Sequence, residues 1–144
     1  MEPIVGSTHR SSSAIVENRR RSHPSAASRS AGVPTVVVPE LAYPTYEVGA
    51  RLAGCEVMVA DGTLRAGPRQ VSLVWLNSPA NPTGRVLPVE HLRKVVDWAR
   101  ERGVLVVSDE CYLECGWEAR PVSVLHPDVC GGDPTGILTV QSLS

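Results

Sequence analysis

The sequence predicts an α/β fold, a mostly parallel sheet with crossover helices, and three observations carry that prediction. Short apolar β-branched runs, Val36-Val37-Val38, Val104–Val107 and Ile137–Val140, read as strands buried on both faces. Between apolar runs lies Val89–Arg102, whose apolar residues recur at helical spacing. Gly54 and Gly103 stand just past the two helical stretches, where a residue in the left-handed conformation closes a helix.

Regular text starts at Pro34. Before it, residues 6–32 hold Ser11-Ser12-Ser13 and Arg19-Arg20-Arg21 with no sustained apolar period, so residues 1–33 are expected to form a disordered leading segment. A Ser/Arg-rich leader is also the composition of an organelle transit peptide, but Glu2 and Glu17 interrupt it and it lacks an amphipathic pattern. The arginine run reads as a solvated tail. Val36–Val38 is the first strand and Pro39 stops it. A helix over Thr45–Ala53 follows. Cys55–Ala60 and Val71–Leu76 read as strands separated by the turn signals Asp61-Gly62 and Gly67-Pro68. Pro88 suits the first turn of a helix running to Arg102. On that helix Val89, Leu92, Val95, Val96 and Ala99 share one face, and Lys94, the only lysine in the sequence, points away from it. Trp98 and the charges of Arg100, Glu101 and Arg102 read as partly solvated surface. Val104–Val107 and Ile137–Val140 complete the sheet. Two convincing helices are too few to cover both faces of such a sheet, so part of one face is expected to stay bare.

Composition limits function. The 144 residues suit one domain. With 14 basic and 15 acidic residues, net −1, there is no general field for gripping a phosphate backbone, so nucleic-acid binding is disfavoured and the expected partners are small molecules. No run approaches the ~18 apolar residues of a membrane helix, and the N-terminal residues lack the apolar core of a secretory signal, so a cytoplasmic protein is expected. Cysteines at 55, 111, 115 and 130 include no CxxC pair and read as reduced thiols. The set Cys111, Cys115, Cys130 and His126 fits no common zinc spacing, so no metal is expected, and His126 before Pro127 reads as a loop residue.

In open α/β sheets ligands bind beyond the carboxyl ends of the strands. Three segments follow strands there: Asn77-Ser78-Pro79-Ala80-Asn81-Pro82-Thr83-Gly84, Ser108-Asp109-Glu110-Cys111-Tyr112 and Gln141-Ser142-Leu143-Ser144. Each piece alone has an ordinary explanation as turn, helix cap or solvated terminus. Together they have more fixed positions than turns require, and Asp109 and Tyr112, three residues apart, can be aimed at one ligand from a turn or a helical start.

These motifs, with Pro39-Glu40-Leu41-Ala42-Tyr43-Pro44-Thr45-Tyr46, resemble the class I/II aminotransferases, the fold-type I pyridoxal-phosphate enzymes, over about Val36 to Ser144. Within that family the phrasing is most similar to succinyldiaminopimelate aminotransferases. The resemblance implies that residues 34–144 are an incomplete large, cofactor-binding domain ending just before the lysine that carries pyridoxal 5′-phosphate, so that no catalytic residue is assigned here. It implies that Asp109 faces the pyridine nitrogen and that Asn81 and Tyr112 bond the phenolic oxygen of the ring. It further implies that Tyr43 stacks on the ring and Ser142 binds the phosphate. Tyr46 matches a position behind the aspartate, and interior packing explains it equally well. The implied reaction is transfer of an amino group between an amino acid and a 2-oxo acid, in amino-acid biosynthesis, by a family of homodimers. A C–S β-lyase shares the fold. The alternative is a catalytically inactive truncated fragment with at most a binding role.

Overall fold

The computed structural model describes residues 32–60 and 70–142. The expected disorder of the leading segment therefore falls outside the described residues apart from Gly32 and Val33, as do the turns at Asp61-Gly62 and Gly67-Pro68. Ser144 falls outside them as well.

Five strands form one sheet: β1 (Thr35–Val38), β2 (Glu56–Val59), β3 (Val71–Asn77), β4 (Leu105–Asp109) and β5 (Ile137–Val140). Their order is β2-β1-β3-β4-β5 and every pairing is parallel. The connections are α1 (Thr45–Leu52) between β1 and β2, α2 (Val89–Arg102) between β3 and β4, and α3 (Pro127–Cys130) between β4 and β5. The chain steps from β1 to one neighbour and then returns to the other side. Right-handed crossovers in opposite directions put their helices on opposite faces. The packing agrees: Val36, Val38, Tyr46 and Ala50 form one cluster under α1. Val37, Val74, Leu76 and Val106 pack with Leu92, Val95, Val96 and Ala99 of α2 on the other.

The expected elements are present with moved ends. The fourth strand runs two residues past Val107, so Asp109 is itself a ladder residue, paired with Asn77 on one side and Val140 on the other. Gly103 closes α2 at φ 64° in the left-handed region, a conformation that costs an L-residue about 1–2 kcal/mol. One expectation is corrected. Trp98 is buried, not partly solvated: it lies three residues after Val95 on the sheet-facing side of α2, and the Arg102 guanidinium sits 5.1 Å over its ring. Arg100 is exposed as expected, and its Nη2 also donates to the carbonyls of Cys130 (2.9 Å) and Asp133. Those bonds anchor α3, a third helix that the sequence reading missed. Pro127 in its first turn and Gly131 in the left-handed conformation just past its end are its signals.

The face under α2 and α3 is covered. On the α1 face, cover by the described residues stops near β3, and Leu105, Leu138 and Val140 are exposed beyond it, so among the described residues the uncovered area lies over β4 and β5. Truncation should separate the two faces. Leu92→Ala, at a site 1% exposed, is expected to lower unfolding free energy by about 2–5 kcal/mol. Leu138→Ala should change it by less than about 1 kcal/mol, since a side chain still in contact with water loses little transfer free energy. Urea midpoints of the two variants against the unmodified chain check this; equal shifts contradict the assignment of covered and bare faces.

Candidate active site

Because all five strands are parallel, the segments following β1, β3, β4 and β5 leave the sheet at one edge. The switch in strand order lies between β1 and β3, and ligands of open α/β sheets bind at that crevice. Asn77 ends β3 there, and it is buried. Its Nδ2 donates to the Asp109 carbonyl at 3.1 Å and its Oδ1 accepts the Asn81 N–H at 2.7 Å. One amide thus fastens the Asn-Pro-Thr-Gly loop to the end of β4. The loop closes on itself, with the Gly84 N–H on the Ala80 carbonyl and the Ala80 N–H on the Arg85 carbonyl at 3.0 Å. Gly84 has φ 68°, the left-handed value this closure requires.

Asp109 is half-buried on the α1 side of the sheet. Tyr46 of α1, buried, donates its hydroxyl to Asp109 Oδ2, and the Cys111 N–H donates to Oδ1 at 3.1 Å. Burial alone would raise the Asp109 pKa, but the hydrogen bonds from Cys111 and Tyr46 outweigh it and hold the carboxyl below its usual range. The same contacts act oppositely on the donors. Burial, then the Asp109 hydrogen bond, push the Tyr46 phenol upward, and Asp109 pushes the Cys111 thiol upward. The arrangement therefore keeps one anion and its neutral donors at the sheet edge.

Glu110 points the other way. It is buried, its Oε1 accepts the Val124 N–H at 2.9 Å, and its own N–H donates to the Val140 carbonyl at 2.8 Å. It ties the segment after β4 back onto the α2 face. That segment and the Asn-Pro-Thr-Gly loop line a cleft of about 750 Å³, with Asn81, Thr83 and Arg85 on one wall and Tyr112, Cys115, Trp117 and Glu118 on the other.

Of the residues singled out from sequence, Asn81 and Tyr112 share this cleft. Asp109 connects to Asn81 through Asn77. Tyr43, exposed in the turn before α1, and Ser142, exposed two residues past β5, leave the sheet at the same edge but do not line the cleft. Tyr46, whose packing and polar roles were equally open, has both. The sequence reading missed the roles of Asn77 and Glu110, although each stands inside a motif it quoted. The sulfur and imidazole groups of Cys111, Cys115, Cys130 and His126 do not converge; among the described residues no group of three or more potential metal ligands does. His126 instead caps α3, its Nδ1 accepting the Asp128 N–H at 3.2 Å.

The Tyr46–Asp109 bond gives a pH-dependent expectation. A carboxyl whose folded pKa lies below its unfolded one contributes stability that is present above the unfolded pKa and lost as pH falls through the folded value. Tyr46→Phe removes one donor to the anion and should cost about 1.5–3 kcal/mol near neutral pH. The loss should shrink at a pH below the ordinary Asp value of about 3.9, as pH falls toward the lowered folded value. Urea unfolding at both pH values checks this, and a loss independent of pH contradicts it.

Comparison with known proteins follows the same residues. A family model described as aminotransferase class I and II matches residues 25–144, starting ahead of Pro34. A probable aminotransferase of Mycobacterium tuberculosis is 70% identical over 113 residues, covering 78% of this chain and 27% of that protein. A 4-dedimethylamino-4-oxo-anhydrotetracycline transaminase of Streptomyces rimosus is 56% identical over 110 residues, covering 76% of this chain and 31% of its own. Among solved structures, an aminotransferase of Helicobacter pylori superposes with TM-score 0.68 at 30% identity, covering 78% of this chain and 33% of that one. A probable N-succinyldiaminopimelate aminotransferase of Thermus thermophilus gives 0.67 at 26% identity with the same coverage. The chain spans about a quarter to a third of the length of these relatives.

Proposed function

This chain belongs to the aminotransferase class I and II family, and on that premise we propose that it supplies the cofactor-facing sheet edge of a pyridoxal-phosphate-dependent aminotransferase. The observation that carries the reading is Asp109, a carboxylate at the carboxyl end of β4 kept ionised by Tyr46 and Cys111. Bound there, the cofactor supplies an electron-accepting ring, and a fixed anion beside its pyridine nitrogen is the partner such a ring needs. The residues fit that group. Asp109 would hold a proton at the pyridine nitrogen, while Asn81 and Tyr112, which share a cleft, would donate toward the ring's phenolic oxygen. Tyr43 and Ser142, which leave the sheet at the same edge outside that cleft, would cover a ring face and donate a hydroxyl to the phosphate.

The substrates under this reading are an amino acid and a 2-oxo acid. Relatives named as LL-diaminopimelate aminotransferases, one of them from Desulforudis audaxviator 37% identical over 115 residues, support a place in amino-acid biosynthesis. The family's homodimeric state and a cytoplasmic location belong to the same proposal. Among the described residues no helix is long and apolar enough to cross a membrane. Lys94, the single lysine of the 144 residues, is exposed on α2, whose buried residues face the sheet, so it lies away from the proposed cofactor edge.

In a chain extended through the family's remaining segments, Asp109→Ala is expected to cut transamination by on the order of 10²-fold or more while circular dichroism stays unchanged, since it removes a preorganised charge. Activity within a few-fold of the unmodified extended chain overturns the assignment. The 144-residue chain, incubated with pyridoxal 5′-phosphate and reduced with borohydride, is expected to yield only sparse label on Lys94 in peptide maps. Near-stoichiometric labelling there contradicts the placement of Lys94 away from the cofactor edge.

A further inference from the structure

Asp109 is held by Tyr46, and something must hold Tyr46. Its hydroxyl reaches the carboxylate from α1 across the gap to the sheet, so the direction of the O–H follows the plane of the ring. Trp75 of β3 lies flat against that ring, with centroids 4.4 Å apart and an interplanar angle of 12°. Strand register explains the meeting: Trp75 pairs with Val107, Asn77 pairs with Asp109, and alternation puts all four on the α1 side of the sheet. Ala50 of α1 and Val36 and Val38 of β1 complete the cluster. These aliphatic groups fill space around the phenol; the indole alone presents a flat face to it. An aliphatic residue in its place would bury similar surface without fixing the ring plane.

We infer that Trp75 is a positioning residue, which by stacking on Tyr46 sets the ring plane and thereby the direction in which the Asp109 carboxylate is held. The consequence for catalysis rests on the proposed role of Asp109 toward the cofactor; the stack and its effect on the carboxylate stand without it. Two steps connect the indole to the anion. The stack restricts rotation of the Tyr46 ring, and the restricted hydroxyl stays on Oδ2, leaving Oδ1 to the Cys111 N–H. If the ring turns freely, Oδ2 loses its donor for part of the time, while the bond from Cys111 persists.

The test is the titration of Asp109 in the chain labelled with ¹³C at aspartate carboxyls, followed by NMR. The groups that act on this carboxyl are Tyr46 and the Cys111 thiol and backbone N–H; Tyr112 acts on Tyr46, and the Ser142 backbone on Cys111. None of them is altered by substitution at Trp75. Trp75→Leu and Trp75→Met, which keep apolar volume without a flat face, are expected to raise the Asp109 pKa by about half a unit or more, in the direction set by losing a donor to the anion. Trp75→Phe, which keeps a stacked ring, should restore the unmodified value, and Tyr46→Phe should give the largest rise. A purely space-filling Trp75 would leave the Asp109 titration unmoved in all three variants. The inference is overturned if Leu and Met leave the titration unchanged, or if Phe displaces it as far as they do. Failure of the cofactor reading shows separately, as retained activity in Asp109→Ala, and does not alter this titration.

Discussion

A parallel ladder brings every strand's carboxyl end to one edge, and the last rung of this one, Asn77 beside Asp109 beside Val140, is what the candidate site depends on. If β4 slipped by one residue, Asp109 would turn to the α2 face and away from Tyr46, because alternate side chains of a strand point to opposite faces. Asn77 guards the register. Its amide bonds the Asp109 main chain with one end and the Asn81 main chain with the other, so the loop and the carboxylate share one fixed point. A buried amide in this place is costly to leave half-bonded. Its two contacts make register and loop position a single requirement.

The two helical faces divide the labour. Under α2 and α3 the sheet is densely covered, and the arginines of α2 carry the cover further by bonding carbonyls of the α3 region, Arg93 to Asp128 (2.7 Å) and Arg100 to Cys130 (2.9 Å). This side is built for stability. The α1 face carries the polar contacts of Asp109 and is apolar but bare over β4 and β5. Exposed Leu138 and Val140 on a strand otherwise suited to burial give that face a surface which further packing would stabilise, at roughly 25 cal/mol per Å² covered.

What was legible in the sequence was periodic or punctuated. Buried β-branched runs, the 3.6-residue stripe of α2 and the glycines past both longer helices located strands and helices to within a residue or two, and a parallel sheet then dictated which segments share an edge. Less legible was what depends on neighbours remote in sequence. Trp98 looked like surface because the apolar cluster it joins is assembled from strand residues distant in sequence, such as Val37 and Val71. A four-residue helix such as α3 leaves too little pattern to register, though Pro127 and Gly131 bracket it. Tyr46 could not be divided between packing and hydrogen bonding because it lies 63 residues from Asp109 and only the strand order joins them. Asn77 and Glu110 stood in plain view within motifs, but nothing in their spacing says which backbone group each would meet.

The adjacent pair Asp109 and Glu110 shows how the pleat turns similar residues to different work. Both are carboxylic acids at the end of β4, one residue apart, so their side chains go to opposite faces. Asp109 goes to the α1 side, where two donors meet it and part of the group stays open to a ligand. Glu110 goes to the α2 side, 3% exposed, where its one bond to the Val124 N–H pulls the segment after β4 against the apolar cluster. The first carboxylate can meet a ligand because it is incompletely enclosed. The second is enclosed and ties down Val124, while the Glu110 main-chain carbonyl, accepting the Leu113 N–H at 3.0 Å, closes the turn from which Tyr112 enters the cleft. Exchanging their identities would fail on both faces: the longer glutamate would overrun Tyr46, and the shorter aspartate would fall short of Val124 and leave a buried N–H without its acceptor.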